Sequence, residues 1–159
     1  MGVYRVAEVC PNGHVTTSRA DARPEQREPF CSRCGEATLT SCDCCAASIR
    51  GHYQVDGVIG GLAYEPPAYC YNCGAAFPWT QRKIDGAMEL LELDTVLSHT
   101  ELLQMRTDLV ELTKDTPKLQ AASLRFKKAM SKAGVGVATG VREIVIDVLS
   151  EAAKKAIWS

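Results

Sequence analysis

Apolar residues in the second half of the chain, residues 80–159, recur at the three- and four-residue spacing of amphipathic helices. This pattern predicts four helices. The second follows a capping box at Ser98-His-Thr-Glu101, in which each terminal side chain bonds the backbone of the other residue. The third is expected to begin at Thr116-Pro117 and to end at Gly134, which leaves residues 134–158 for the last. The expected apolar faces of the first three helices are Ile84, Ala87, Met88 and Leu91; Leu102, Met105, Leu109 and Leu112; and Leu119, Ala122, Phe126, Ala129, Met130 and Ala133.

The last predicted helix has a broader apolar face than a surface helix of a small bundle needs. Such a face either lies at the centre of the bundle or contacts another protomer or a partner. We expect a homo-oligomer that assembles through this half of the chain, with burial at the bundle centre as the alternative. The face comprises Val137, Val141, Ile144, Val145, Val148, Leu149, Ala152 and Ala156, widened by Ile146, Ile157 and Trp158.

The first half of the chain has short β-type segments separated by turn residues. Arg50 and His52 alternate along one such segment and should share a face, and Asp56-Gly57 after it predicts a hairpin turn. No apolar stretch reaches bilayer length and the first residues do not resemble an export sequence, so we expect a cytoplasmic protein without membrane contact. The pattern predicts an α+β protein with two domains, residues 1–78 and residues 79–159.

All eight cysteines lie in the first of these domains. Six of them form three pairs with the spacing of metal ligands, and Cys10 forms a fourth pair with His14. In the reducing cytoplasm such clusters bind metal more often than they form disulfides. We predict two structural Zn²⁺ ions per chain, because four such ligands fill a tetrahedral shell and leave no position for a catalytic water. We expect sequential grouping of the ligands, with an interleaved grouping as the alternative. The expected sets are Cys10, His14, Cys31 and Cys34, and Cys42, Cys45, Cys70 and Cys73.

Cys44 is the cysteine without a place in this scheme, since it lies between two predicted ligands. We interpret it as a spare thiol, with a substitute metal ligand as the alternative. A nucleophilic role is not favoured, because no histidine base can be assigned to it from the sequence.

Charge restricts the partners that the first domain can have. The whole chain has a formal charge of −1, and residues 1–80 carry six arginines, no lysine and eight acidic residues, a formal −2. Zinc-bound thiolates make this domain more acidic still. Tight phosphate binding needs a basic surface, and no predicted helix has the basic face of a DNA-recognition helix. Tyr69 and Tyr71 beside the last cysteine pair are candidates for stacking on bases.

Arg50, His52 and Tyr53 are the candidate catalytic residues. A histidine beside an arginine can supply an acid/base group and a phosphate ligand for RNA cleavage, with Tyr53 in support. The alternative is a packed histidine on a partly exposed strand, because no second acid/base group is recognisable in the sequence.

The chain resembles a bacterial family of small, mostly uncharacterised double zinc-ribbon proteins in the segments CPNGH, FCSRCG, SCDCC, SIRGHY and PPAYCYNCGAAFPWT. The segments KDTPKLQAASLRFKKAMSKAG and SEAAKKAIW resemble the helical tail of that family. The resemblance implies a double zinc ribbon of small β-hairpins and cysteine turns, followed by about four helices. Some zinc-finger proteins of similar build are proposed as ribonuclease effectors in defence against phage, switched on by assembly around a partner.

Our leading hypothesis is therefore a cytoplasmic zinc-stabilised effector whose helical half assembles, in response to a protein trigger, and whose first half acts on RNA. The rival hypothesis is a non-catalytic adaptor that uses both halves to bind protein. The acidic first domain favours the adaptor, whereas the resemblance and the Arg-His segment favour the enzyme.

Overall fold

The computed structural model describes all of residues 1–159 and divides into two compact units, Met1–Arg82 and Lys83–Ser159. The first contains short antiparallel strands and the cysteine clusters, and the remainder of the chain is helical. The prediction of an α+β fold is therefore confirmed.

Four short strands form two separate antiparallel sheets of two strands each. Within the first sheet, Tyr4 lies opposite Tyr53 and Val6 lies opposite Arg50, and a bulge separates these two pairs. The second sheet is a hairpin whose connection carries the first metal-ligand pair. The strands are β1 (Val3–Val6), β2 (Glu8–Val9), β3 (Val15–Thr17) and β4 (Arg50–Gln54), and β1 pairs with β4 and β2 with β3.

The predicted hairpin at Asp56-Gly57 is wrong. A turn does form there, because Gly57 has φ of 79° and the N–H of Val58 donates to the carbonyl of Val55 at 3.3 Å. The residues after the turn form no strand, and β4 pairs instead with β1 from the start of the chain. Glycines such as Gly60 disfavour a strand after the turn, whereas the β-branched residues of β1 favour one.

A buried carboxylate joins the hairpin to the segment that leads into the second cysteine pair. Glu8 is 1% exposed and accepts hydrogen bonds from Arg27 Nε at 2.8 Å, from Glu28 N at 2.7 Å and from Thr16 Oγ1 at 2.8 Å. Burial alone would raise the pKa of Glu8, but these bonds favour the ionised form and hold the pKa below its ordinary value. These hydrogen bonds of Glu8 therefore fix the turn at residues 10–14 relative to the turn at residues 31–34.

The helical part of the chain has five helices rather than about four. The predicted capping box is present, because Glu101 N donates to Ser98 Oγ at 3.1 Å and Ser98 N donates to Glu101 Oε2 at 2.8 Å. None of the helices is both long enough and apolar enough to cross a bilayer. The helices are α1 (Pro78–Leu93), α2 (His99–Leu112), α3 (Leu119–Lys132), α4 (Val135–Val145) and α5 (Glu151–Trp158).

The third helix begins later than predicted. Thr116 and Pro117 form a turn in which Thr116 Oγ1 accepts from Lys118 N at 3.2 Å, and α3 begins only at Leu119. At the other end α3 stops at Lys132, two residues before Gly134, where its end was predicted. Gly134 itself has φ of −59° and caps the start of α4, so no left-handed glycine ends α3.

The predicted single helix over residues 134–158 is also wrong, because the chain breaks into α4 and α5 around residues 146–150. Ser150 stabilises this break: its Oγ accepts from Ala153 N at 3.1 Å, while its own N–H donates to the Leu112 carbonyl at 2.9 Å. The break lets apolar residues from both helices become buried within the unit. Those residues are Val141, Val145, Val148, Leu149, Ala153 and Ile157.

Burial within the chain accounts for part of the broad apolar face. Five of its eleven residues are buried, and the other six are half-buried. The absence of a side chain at Gly140 lets the Leu90 side chain of α1 pack closely against α4, since a Cβ on Gly140 would lie 2.9 Å from Leu90 Cδ1. Oligomerisation stays a prediction.

An ion pair between a buried carboxylate and a half-exposed guanidinium links α2 to α3. Asp108 is fully buried and receives two parallel hydrogen bonds from Arg125, Nε to Oδ2 at 2.9 Å and Nη2 to Oδ1 at 2.7 Å. Gln104 Nε2 adds a third at 3.1 Å. The hydrogen bonds to Asp108 raise the pKa of Arg125. Bidentate pairing of this kind fixes the two helices in register as well as in distance.

We expect Asp108→Asn to lower the free energy of unfolding by about 1–2 kcal/mol, because a buried amide replaces the carboxylate that accepts from Arg125 and Gln104, whereas the half-exposed guanidinium stays hydrated. Thermal and urea unfolding followed by far-ultraviolet circular dichroism measures the loss. Asp115→Asn, at an exposed position, removes the same charge and should change stability by less than about 0.5 kcal/mol. Equal effects of the two substitutions would contradict the structural role of Asp108.

Candidate metal centres and the adjoining surface

Three cysteine pairs form the same tight turn, which we call a knuckle. In each, the N–H of the residue after the second cysteine donates to the carbonyl of the first cysteine at 2.7–2.9 Å. That residue has a positive φ in all three: 79° at Gly35, 63° at Ala46 and 75° at Gly74. Two knuckles therefore use glycine where the left-handed conformation requires it, and the third holds an alanine there under strain.

The first cluster combines one knuckle with the turn between β2 and β3. Cys10 Sγ lies 3.7 Å from Cys34 Sγ, and Cys31 Sγ lies 3.5 Å from His14 Nδ1. All four ligand atoms lie within 4.8 Å of one another.

The second cluster joins the other two knuckles. Cys42 Sγ lies 3.7 Å from Cys73 Sγ, and Cys45 Sγ lies 3.7 Å from Cys70 Sγ, again with all four atoms within 4.8 Å. The structure thus groups the ligands sequentially rather than in an interleaved arrangement.

These distances fit zinc. A tetrahedron with Zn–S bonds of about 2.3 Å has sulfur–sulfur edges of about 3.8 Å, and a Zn–N bond of about 2.05 Å gives a sulfur–nitrogen edge of about 3.5 Å. Both values match the clusters, and the short contact of His14 identifies Nδ1 as its ligand atom. Two structural Zn²⁺ ions per chain therefore fit these residues, with four protein ligands each.

Hydrogen bonds lower the pKa of two of the candidate ligand thiols and so favour the thiolate form that binds metal. The backbone N–H of Glu36 contributes most to lowering the pKa of Cys34 to about 6, and the Asn72 side chain contributes most to lowering that of Cys45 to about 6. Cys73 differs: the N–H of Ala75 favours its thiolate, but burial and the neighbouring sulfurs raise its pKa to about 12. A zinc ion must displace the protons that remain, so binding weakens as the pH falls.

Cys44 lies outside the second cluster and is exposed. Repulsion from the neighbouring Cys42 thiolate raises its pKa. In the other knuckles the same position is occupied by Arg33 and Asn72, which are not ligands. The structure therefore favours the spare-thiol interpretation over the substitute-ligand one.

The candidate catalytic residues lie on β4, at the border of a cavity of about 520 Å³. The guanidinium of Arg50 lies over two aromatic rings, 4.5 Å from the centroid of Tyr4 and 3.9 Å from that of Tyr71. Tyr53 lies beside Tyr4, with ring centroids 4.8 Å apart. His52 lines this cavity and two further ones. Arg50 thus contacts tyrosines, whereas the half-buried His52 ring borders the cavities and lies against Gly61.

The sequence did not reveal Tyr4 as part of the site. Tyr4 lies near the start of the chain and reaches the site only because β1 pairs with β4. It also missed Arg19 and Arg23, which line the other two cavities with His52. Arg19 and Arg23 are only four residues apart, but no local pattern places them or Tyr4 beside β4, because the segments that meet there are distant in sequence.

We expect Cys45→Ser to reduce the zinc content of the purified protein from two ions per chain to one, since it removes a ligand of the second cluster. Native mass spectrometry and elemental analysis measure the content. Cys44→Ser is the matched control and should keep two. Loss of zinc from the Cys44 variant with retention in the Cys45 variant would show that the ligand is misassigned.

We expect Ala46→Gly to stabilise the zinc-loaded protein by about 0.5 kcal/mol. Relief of the left-handed strain, about 1–2 kcal/mol, exceeds the cost of greater flexibility in the unfolded chain, about 0.4–1 kcal/mol. Gly35→Ala, the reverse change in another knuckle where a Cβ meets no atom within 4 Å, should destabilise by a similar amount. Thermal unfolding at fixed free zinc compares them, and a destabilised Ala46→Gly variant would refute the strain.

Comparison with known proteins places the chain in a family. A family model described as "uncharacterized protein conserved in bacteria" (DUF2321) matches residues 3–157. Searches of curated proteins and of solved structures found no match. The relation to ribonuclease effectors stays a prediction. Because the family model covers nearly the whole sequence, the chain belongs to this bacterial family.

Proposed function

We propose that the first unit binds single-stranded RNA and acts on it, and that the two zinc ions hold its binding surface in shape. The observation that carries this proposal is the stack of Arg50 with Tyr4 and Tyr71, beside Tyr53. We call these four residues the tyrosine–arginine platform.

The platform has the composition of a base-stacking surface. Its three tyrosine side chains are each about half exposed, although ordinary packing would bury them. Stacking of a base on an aromatic ring contributes about 1–3 kcal/mol and tolerates any base, because every base has a π face. Arg50 holds two of the rings in place through cation–π contacts and presents a positive charge to the backbone of the bound strand.

His52 is the candidate acid/base group of a ribonuclease. Cleavage of RNA begins when a base takes the proton of a ribose 2′-hydroxyl, and a neutral imidazole can do this near neutral pH. His52 borders the same cavity as Arg50 and Tyr53. Assembly through the helical unit, a protein trigger and a role in defence against phage are further predictions that follow from the resemblance.

A second candidate is the non-catalytic adaptor, which one observation favours. The segment after β4 carries three exposed apolar side chains, Val58, Ile59 and Leu62, of which the last two are almost completely exposed. Apolar groups in such a position are typical of a protein-binding surface.

We expect Tyr71→Ser to weaken binding of a short labelled single-stranded RNA by about 5- to 100-fold, because it removes one ring of the platform. Tyr71→Phe keeps the ring and should bind like the wild type, and Phe30→Ser removes an exposed aromatic that lies outside the platform. Fluorescence anisotropy measures the affinity, and gel analysis of the same mixtures detects cleavage.

The outcomes separate the two candidates. Failure of the zinc-loaded wild type to bind RNA, or equal loss in the Tyr71→Ser and Phe30→Ser variants, would contradict the platform. Cleavage by the wild type that His52→Ala abolishes without loss of binding would support the ribonuclease. A cellular effect that survives His52→Ala but is lost when Ile59 and Leu62 are replaced by serine would support the adaptor.

A further inference from the structure

Arginines are concentrated in one part of an otherwise acidic unit. Arg5, Arg19 and Arg23 all line a cavity of about 450 Å³ together with His52. Two of them, Arg19 and Arg23, also line an adjoining cavity of about 630 Å³, again with His52. Asp56 is the acidic residue that lines the smaller cavity, and no acidic residue lines the larger one. The arginines that line these cavities outnumber the acidic residues that line them, although Asp21 and Glu25 pair with Arg5 and Arg23 and the charge of the unit as a whole is negative.

A single helical turn brings Arg19 and Arg23 to the same side of the chain. The N–H of Arg23 donates to the carbonyl of Arg19 at 2.7 Å, and the N–H of Arg19 donates to Thr17 Oγ1 at 3.1 Å. Residues four apart across such a turn are neighbours. The turn is attached to β4 because the N–H of His52 donates to the carbonyl of Ser18 at 3.0 Å.

Two of the three arginines are available to a ligand. Arg5 is occupied, since its Nε donates to Gln54 at 2.8 Å and its Nη1 lies 3.4 Å from Asp21. Arg23 has only a loose pair with Glu25 at 3.6 Å, and both side chains are more than half exposed, so this pair contributes little. The guanidinium of Arg19 has no hydrogen bond or ion pair within the chain.

A glycine-rich segment borders the same cavities. Gly60 has φ of 93°, and a Cβ on Gly61 would lie 3.1 Å from His52 Cε1, so the backbone of the segment lies directly against the imidazole. The backbone N–H groups of residues 59–62 form no hydrogen bond within the chain. Free N–H groups of a glycine-rich loop are donors that suit an oxyanion.

We infer that Arg19, Arg23 and His52 form a pocket for a phosphate group of the RNA backbone. This inference rests on the proposed function and identifies which group of the RNA lies beside His52. Arginine binds phosphate through paired N–H groups, and two available guanidinium groups match the two non-bridging oxygens that share the single negative charge of a backbone phosphate. The third cavity at His52 also borders Tyr4, Arg50 and Tyr53, so a strand whose phosphate occupies the pocket has the platform next to it for a base.

The salt dependence of RNA binding tests the pocket. Each lost phosphate contact on a single strand should lower the slope of log affinity against log salt by about 0.7. We expect Arg19→Gln and Arg23→Gln each to weaken binding at low salt by about tenfold, and the double substitution, which removes the contact to the single phosphate, to reduce the slope by about 0.7. Arg33→Gln is the matched control, because it removes the same charge from an exposed position outside the cavities. Zinc content of every variant confirms that the fold is intact.

The outcomes distinguish failure of the pocket from failure of the proposed function. Strong RNA binding that depends on Tyr71 but is equally weakened by the Arg19 and Arg33 substitutions would overturn the pocket and leave RNA binding in place. Absence of RNA binding by the wild type would overturn both. Inorganic phosphate and a mononucleotide serve as competing probes. If both displace the RNA at the same low millimolar concentration, the pocket binds free phosphate, and its assignment to the RNA backbone is overturned.

Discussion

Tetrahedral coordination of metal is the constraint on which the first unit depends. Each cluster joins two turns that are far apart in sequence, residues 10–14 with residues 31–34 and residues 42–45 with residues 70–73. The strands of this unit contain only two to five residues each, and two-stranded sheets of that size are not stable alone. Zinc coordination supplies the long-range contacts that a hydrophobic core supplies in the helical unit.

The candidate functional residues are attached to these metal-bound turns. Tyr71 lies inside a knuckle, between two ligands, and Arg50 follows another knuckle by a few residues. Arg19 and Arg23 lie in the segment between the two turns of the first cluster. The buried Glu8–Arg27 pair fixes the same segment from the other side. A surface made of side chains from such short elements has a defined shape only because coordination fixes the ends of every connecting segment.

Features that depend on local chemistry could be predicted from the sequence, and features that depend on distant contacts could not. Cysteine spacing predicted both clusters, because a knuckle needs only its own few residues, and the capping box at Ser98 is local for the same reason. The break before α5 was missed because Ser150 is held by the carbonyl of Leu112, a partner that periodicity does not reveal. The partner of β4 and the position of the Arg19–Arg23 turn beside His52 were missed likewise, since both depend on contacts between segments that are distant in sequence.

The acidic charge of the first unit constrains how the proposed RNA binding could occur. Zinc-bound clusters add about −1 and −2 to a formal charge of −2 over residues 1–80, so long-range attraction to a polyanion is weak. At physiological salt, however, charges act mainly within about 8 Å, so the proposed site depends on the guanidinium groups that line the cavities, of which that of Arg19 has no acidic partner. We expect such a site to bind one short segment of a strand weakly. Tight binding would then require several copies of the chain on one RNA, because linked sites raise the overall affinity without new contacts. The predicted assembly through the helical unit would provide such linked sites.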